Sequence, residues 1–298
     1  MPATVDVMLP YYGDVEYLKK AVESVLAQTF DDWRLVVIDD GYPDPTPSEW
    51  VGGIAARDSR VHYLRNGTNL GANGNYRRAV ELVESDLFVM MGADDVMLPD
   101  YLSVVLRLAA AYPRADVLQP GVAVIDGAGQ RYLPMADRVK RWYAPHVVGM
   151  NELRDEEMAL SLVRADWAYF PSLAWRSETV KRIGFTEGLD VVQDLALLLD
   201  IAADGGAIAV GSEVAFEYRR HAQSDSSVRA FDGRRFQEER EYFISQAERF
   251  ARLGWKRASR AARNRITSRL HTGSMALKAA RRRQWSSSRL LLSIAFGS

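Results

Sequence analysis

The chain has 298 residues, 48% hydrophobic and 26% charged, with no cysteine. That length suits one large α/β domain, or a domain with an appendage, whose core needs no covalent staples. The lack of cysteine excludes a disulfide framework, a thiolate metal site and a cysteine nucleophile, and is in keeping with a reducing cytoplasm. The net charge of -1 is unevenly spread: residues 250–298 carry twelve Lys/Arg and no Asp/Glu, leaving 26 basic and 39 acidic residues before them. This asymmetry points to an acidic body and a basic attachment surface. The opening residues 1–14 have no basic residue ahead of an apolar run, so no secretory leader is expected, and no apolar stretch approaches the ~20 residues of a spanning helix. A soluble or membrane-surface protein is expected, in the cytoplasm or at the inner face of the cell membrane.

Residues 5–9 are apolar and run into Pro10, which reads as a buried strand stopping there. Residues 15–27 repeat apolar side chains (Val15, Leu18, Val22, Val25, Leu26) at helical spacing. Residues 35–38 form a second buried strand closed by Asp39-Asp40-Gly41, and the Pro-rich residues 42–47 a loop. A third strand is expected over 61–64, a helix over 73–83, and a wholly apolar strand over 87–91 that runs into Gly92-Ala93-Asp94-Asp95. A helix over 99–111 has Pro at its first position, and a strand follows over 117–124. Strands alternating with helices imply a largely parallel sheet covered on both faces.

Beyond Asp126 the pattern changes. Residues 127–149 keep no period and read as a loop or small hairpin; 152–163 look helical; 165–175 are dense in aromatics. A helix over 195–203 leads to two short strands, 208–210 and 214–218. Two long helices are expected over 231–253 and 256–280, the second strongly basic.

In open parallel sheets, ligands bind beyond the carboxyl ends of the strands. Three polar clusters fall there: Pro10-Tyr11-Tyr12, Asp39-Asp40-Gly41 and Gly92-Ala93-Asp94-Asp95. Carboxylates gathered at strand ends repel one another unless a cation sits between them, and Mg²⁺ or Mn²⁺ suits oxygen ligands and substrate phosphates. Taken alone, Asp94-Asp95 reads sooner as an N-cap and a first-turn acid ahead of the helix at Pro99 than as a metal site.

The ordered set of Pro10-Tyr11-Tyr12-Gly13, Ser24-Val25-Leu26-Ala27-Gln28-Thr29, Val36-Val37-Ile38-Asp39-Asp40-Gly41, Asn69-Leu70-Gly71 and Met91-Gly92-Ala93-Asp94-Asp95, with Pro99 four residues on, resembles the family 2 glycosyltransferases over about the first 125 residues. The resemblance implies a GT-A fold, a Rossmann-like, mostly parallel sheet flanked by helices, here with a basic helical C-terminal extension. It implies a donor-binding half over 1–125, an acceptor and catalytic-base half over 126–230, and C-terminal helices over 231–298. It implies an inverting transferase that takes a sugar from a nucleoside diphosphate, UDP, to a hydroxyl of a glycan or lipid-linked acceptor. Pro10, Tyr11 and Tyr12 would then line the base pocket. Asp39 would bond the base, and Asp40 would support the turn or the ribose. Asn69 and Gly71 would lie by the donor, and Ala93, Asp94 and Asp95 would face ribose and Mn²⁺ or Mg²⁺, the metal falling to Asp95; Asn73 and Asn75, which open a helix, could face phosphate through its N-terminus or serve as ordinary caps. The chain departs from the family at Gly92, where a first Asp is usual, and at Tyr42, where Ser is.

Asp194, in Val191-Val192-Gln193-Asp194-Leu195, matches the family's base; Asp190 and Asp200 are its rivals, and an N-cap is its other reading. Tyr218-Arg219-Arg220-His221, with Ser224 and Ser226, matches a segment in which Arg220 would meet the diphosphate and His221 the metal or a phosphate. For the acceptor, Trp167 and Tyr169 could offer sugar-stacking faces, or could pack in the core, and Gln193 lies beside the base. In the basic C-terminus, Trp255, Trp285 and Leu290–Leu292 could enter an anionic membrane face; a solvated helix face is the other reading. Nucleic acid is not expected, since no base-reading motif accompanies the run. A nucleotidyltransferase is disfavoured because Pro10-Tyr11-Tyr12-Gly13-Asp14 lacks a basic Gly-rich phosphate loop; a non-catalytic membrane or nucleic-acid adaptor, driven by the basic C-terminus, is the alternative function.

Overall fold

The computed structural model describes residues 4–221 and 234–296, so Ser224 and Ser226 lie outside the described residues. The first elements are β1 (Val5–Tyr11), α1 (Val15–Leu26), β2 (Trp33–Asp39), α2 (Thr46–Ala55), β3 (Val61–Arg65) and α3 (Gly71–Glu81). β4 (Leu87–Met90), β5 (Val96–Met97), α4 (Tyr101–Ala111), β6 (Val117–Ile125), α5 (Met135–Tyr143) and β7 (Met150–Arg154) follow. Next come α6 (Asp155–Ala165), a 3-10 turn (Phe170–Ser172), β8 (Ala174–Arg176), α7 (Ser177–Ile183), α8 (Gln193–Ala203) and β9 (Ala207–Arg219). The chain closes with α9 (Arg234–Arg252), α10 (Lys256–Asn264), α11 (Ile266–Arg281) and α12 (Trp285–Phe296).

One sheet takes in the described strands in the order β3-β2-β1-β4-β8-β6-β9-β5, with β7 also on β9. β1 to β4 pair in parallel, as does β6 with β9, whereas β8 runs against both β4 and β6. The sheet is therefore continuous across residue 125. Alternation along β1 feeds both faces. Val5, Val7 and Leu9 join α1 and α4 in one buried cluster, while Met8 joins α6, α8 and parts of α9 and α10 in the other. Both faces are dry, which is why these strands read as near-continuous apolar runs.

Several sequence expectations are corrected. β1 passes through Pro10 to Tyr11, because a proline near a strand end forfeits one donor and the ladder resumes with Asp40 N–H on the Tyr11 carbonyl at 2.9 Å. Residues 42–47 are not all loop: α2 starts at Thr46 with proline in its first turn. Residues 127–149 contain α5. β9 is one strand of 13 residues, kept continuous by a register shift opposite Gly121. The basic helix of residues 256–280 breaks at Arg265, whose φ of 46° turns the chain between α10 and α11.

α4 starts at Tyr101, not at Pro99, and its start is held from elsewhere. The buried Gln28 side chain donates to the Leu98 carbonyl at 2.8 Å and accepts the Leu102 N–H at 3.0 Å. Gln28 thus does the work that a helix cap would do. Asp94 and Asp95 have no part in it, so the capping reading of that pair falls.

Candidate active site

The carboxyl ends of β1, β2, β4 and β9 converge on one edge of the sheet. At β2, Asp39 is fully buried and its acceptors are filled. One oxygen takes the Tyr42 N–H at 2.7 Å; the other takes the Tyr63 hydroxyl and faces the Arg65 guanidinium at 3.5 Å. Asp40 accepts from Asn66 Nδ2 and from the Leu70 N–H, both at 2.8 Å, and Asn66 in turn donates to Asn75 Oδ1 at 3.0 Å. Asp40 Oδ1 therefore fastens the loop that leads into α3. Gly41 makes the tight turn possible with φ at +77°.

Three tyrosines shape the neighbouring surface. Tyr11 is buried and donates its hydroxyl to the Gly13 carbonyl at 2.7 Å, so it forms the wall rather than an open face. Tyr12 is 57% exposed and stands edge-on to Tyr42, their rings 5.5 Å apart. The open aromatic surface beside Pro10 is thus Tyr12 with Tyr42, and Tyr42 is a residue the sequence marked only as a departure. Across the cleft, Asn69 Oδ1 accepts the Gly71 N–H at 2.9 Å, and α3 begins there without a side-chain cap. Asn73 donates to the Leu189 carbonyl at 2.8 Å and to Asp190 Oδ1 at 3.1 Å, which ties α3 to the segment before α8.

The turn after β4 carries the strongest electrostatic anomaly. Asp95 is buried; its Oδ1 accepts the Arg219 N–H at 2.7 Å, while its Oδ2 has no hydrogen-bond partner among the described residues. Burial, and then the negative Asp94 beside it, push the Asp95 carboxyl well above the usual carboxylate range. A Cβ at position 92 would lie 2.4 Å from Asp95 Oδ2 and 3.1 Å from Asp94 Oδ1. That accounts for Gly92 in place of the family's first acid: the two carboxylates occupy the space such a side chain would need. Ala93, half-buried, packs behind this turn.

β9 supplies the positive side. Arg219 is buried and clamps the turn, its Nε on the Asp94 carbonyl at 2.6 Å, its Nη1 on the Asp126 carbonyl at 3.0 Å and its guanidinium 4.9 Å from the Tyr17 ring centre. His221 Nε2 lies 2.9 Å from Asp94 Oδ2. Arg220 turns the other way and grips the buried Asp137 of α5 through Nε and Nη2, at 2.6 and 2.9 Å. Tyr169 donates its hydroxyl to the same Asp137 oxygen at 2.9 Å. Sequence reasoning missed Arg219 and Asp137, because their partners are distant in the chain.

Trp167 is corrected: it is buried, its indole N–H reaching Ser161 Oγ at 3.3 Å, and belongs to the core. The most exposed aromatic among the described residues of this half is Trp142 on α5, the helix that carries Asp137. Gln193 is buried with an unpartnered Oε1 among the described residues. Asp194 beside it is half-buried, and burial, then the Asp166 carboxylate, push it up to about 6. It does not cap α8, since its only cap-like bond is to the next residue's N–H at 2.8 Å. The N–H groups of Asp190, Val191 and Val192 instead converge on one oxygen of Glu238, at 3.1, 2.7 and 3.1 Å. Glu238 lies on α9, so a C-terminal helix holds the segment that carries Asp194.

The charges of Asp166 and Lys140 act on Asp194, and from that pair a run of polar groups leads to β9. Asp166 faces Lys140 at 3.7 Å, Lys140 lies 5.4 Å from the Tyr169 ring centre, and Tyr169, Asp137 and Arg220 lead back to β9. Among the described residues no group of three or more His, Cys, Asp and Glu side chains forms a ready metal cage. The bare Asp95 oxygen fits a cation shared with a ligand's phosphates, the mode in which Mg²⁺ usually binds.

The sequence profile of glycosyl transferase family 2 matches residues 6–164. An uncharacterised glycosyltransferase of Methanocaldococcus jannaschii is 22% identical over 213 residues, 72% of this chain and 69% of that protein. The succinoglycan biosynthesis protein ExoO of Rhizobium meliloti is 26% identical over 224 residues, 74% of this chain but only 62% of its own length. Among solved structures, S. aureus TarS 1–349 in complex with UDP-GlcNAc superimposes with a TM-score of 0.70 over 98% of this chain and 81% of that one, at 16% identity. That likeness is one of fold.

Proposed function

The chain belongs to glycosyl transferase family 2 and is a glycosyltransferase; from that premise we propose that it moves a sugar from UDP to a hydroxyl of a glycan or lipid-linked acceptor, with inversion at the anomeric carbon. The observation that carries this is Asp95: a buried carboxylate with one bare oxygen at the end of a central strand, set among cationic groups of β9. Such a group is costly unless a ligand completes it.

The proposed donor site runs over the half formed by residues 1–125. Tyr12 and Tyr42 stack the base beside Pro10, the uncapped start of α3 with Asn69 and Gly71 faces the diphosphate, and Asp94 with Ala93 borders the ribose. Asp39 and Asp40 shape this site from behind, their own bonds already made. Mn²⁺ or Mg²⁺ on Asp95 and His221 would supply Lewis-acid relief of the charge that grows on the departing diphosphate. TarS has been solved with UDP-GlcNAc and with UDP, which supports the choice of nucleotide; ExoO's part in succinoglycan biosynthesis supports a glycan acceptor.

The chemistry falls to residues 126–230. Asp194 accepts the proton of the acceptor hydroxyl as its oxygen attacks the anomeric carbon. The bond to the diphosphate oxygen breaks on the opposite face, and UDP leaves with that bond's electrons. A base pushed up to about 6 is ionised at neutral pH yet still basic enough to take a proton. Gln193 Oε1 offers the acceptor an acceptor of its own, and Tyr169 and Trp142 a ring face. Arg220 acts by holding α5 in place.

In residues 231–298, α11 exposes Ile266, Leu270 and Leu277, and α12 exposes Trp285, Leu290, Leu292 and Phe296, among many Arg and Lys. This pattern supports contact with an anionic membrane surface. Trp255 is excluded from it, because its ring stacks on Phe250 at 5.7 Å, and Leu291 is buried. No helix among the described residues is long and apolar enough to cross a membrane. Co-sedimentation with phosphatidylglycerol vesicles tests this part; no sedimentation, or equal sedimentation with neutral vesicles, contradicts it. For the function as a whole, thermal-shift measurements against UDP-, GDP- and dTDP-sugars with and without Mn²⁺ give the test. UDP-sugars should stabilise the fold most, and more with the metal; no shift with any of them contradicts the reading.

A further inference from the structure

A cleft of about 710 Å³ opens between residues 186–189 and α9, on the outer side of the segment that leads to Asp194. Its volume lies within the ~300–1,000 Å³ of small-molecule sites. Tyr242 and Gln246 line it, and both are at least nine-tenths buried. The Tyr242 hydroxyl and Gln246 Oε1 have no hydrogen-bond partner among the described residues. Native folds rarely leave such atoms unmet, and where they do, a ligand or water is the usual reason.

The charged groups of the cleft are already satisfied. Asp200 holds the Arg249 guanidinium and accepts from Thr186 Oγ1 at 3.3 Å. Glu238 takes the three N–H groups of residues 190–192, and Glu241 accepts from Gln237 Nε2 at 3.0 Å. A cation has little to gain there. An anion would meet three carboxylates with one guanidinium. The unmet groups are neutral, one an acceptor and one a hydroxyl, and Leu189 adds apolar surface to the wall. A neutral polyhydroxylated ligand supplies the hydroxyl donors and C–H faces that this lining lacks. Glu238, which lines the cleft, is the residue that holds residues 190–192, so the cleft wall borders the segment that carries the proposed base.

We propose that this cleft binds a neutral oligosaccharide, the part of the acceptor remote from the reacting hydroxyl, and so selects uncharged glycan chains over anionic ones. This rests on the reading of the chain as a transferase with a glycan acceptor. The test uses the whole chain in isothermal titration with cellotetraose, maltotetraose and chitotetraose, with tetragalacturonate as the anionic probe and UDP with Mn²⁺ measured in parallel. At least one neutral tetrasaccharide should bind saturably in the millimolar range or tighter, and tetragalacturonate should not. Tyr242→Phe, which removes an atom with no hydrogen-bond partner among the described residues, should weaken that binding about tenfold with no loss of thermal stability. Ser245→Trp, at an exposed position of the cleft wall, should block it. Neither should alter UDP binding. The proposal is overturned if no neutral tetrasaccharide binds, if tetragalacturonate binds as well, or if both variants bind as wild type does. Saccharide binding that behaves as expected without any UDP binding would leave the cleft standing and sink the proposed donor instead.

Discussion

Asp6, on β1, and Asp95, in the turn after β4, are both buried carboxylates at opposite ends of the sheet, and their surroundings are opposite too. Asp6, on β1 at the amino end, receives Arg34 through two bonds of 2.9 and 2.7 Å, Ser85 Oγ at 2.8 Å, and the N–H groups of Glu84 and Ser85. Burial alone would raise its carboxyl, but these donors outweigh it and hold it below the usual range. Asp95 has one filled oxygen and one bare one, and is raised. A satisfied buried charge locks the fold; an unsatisfied one stores free energy for a ligand to release. The amino end of the sheet is built for stability, and the carboxyl end holds the proposed site.

The largest effect should fall on a third carboxylate, which belongs with Asp95 in this contrast. Asp194→Asn should lower kcat by ~10²–10⁴-fold, the usual worth of a general base, and leave UDP affinity unchanged. In the wild type, kcat/KM should rise through pH about 6 as Asp194 ionises; a rate flat from pH 5 to 8 would remove it from that role. Asp95→Asn should cost ~10²–10³-fold in kcat, as for loss of a group that relieves transition-state charge, yet keep or raise the melting temperature. The sign follows from its raised pKa: ionised Asp95 costs stability at neutral pH, a cost that fades as pH falls and the group takes up its proton.

Asp6→Asn should do the reverse. Its depressed pKa adds stability above the unfolded carboxyl's pKa of about 3.9, lost as pH falls through the folded value. Its loss should cost about 3 kcal/mol, the low end for a broken buried pair, because Arg34 keeps Glu84 at 2.5 Å. Activity per folded molecule should survive. If denaturant melts show Asp6→Asn neutral and Asp95→Asn strongly destabilising, the contrast between the two ends is wrong. The smallest effect should come from Glu238→Gln, a positioning change. About a tenfold fall in kcat, with UDP affinity and the pH limb near 6 retained, would separate it from loss of the base itself.

The two halves of the site were unequally legible in the sequence. Asp39, Asp40, Gly92 and Asp95 lie in the ordered motifs that carry the family resemblance, so order and spacing singled them out, although the partner of Asp95, the Arg219 N–H, is far along the chain. Even there, the roles of Gln28 and Gly92 emerged only from packing. Asp137 with Arg220 and Glu238 with residues 190–192 meet across long stretches of chain, and local patterns carry no trace of such pairings. α2 was hidden by its prolines and weak periodicity, and α5 by its shortness, nine residues inside a stretch without a sustained period. Trp167 went to the core because a ring that size, once enclosed, contributes more there than at a wet surface. The C-terminal helices looked like an attachment device, but α9 and α10 pack into the main core and only α11 and α12 form a cluster with Phe236.

Calorimetric titration of UDP, with and without Mn²⁺, into the wild type, Asp95→Asn and Asp194→Asn tests the central claim most directly. The wild type and Asp194→Asn should bind UDP alike and more tightly with the metal, while Asp95→Asn should lose the metal-dependent gain. Equal, metal-enhanced binding by Asp95→Asn, or no binding of UDP by the wild type, would contradict the account.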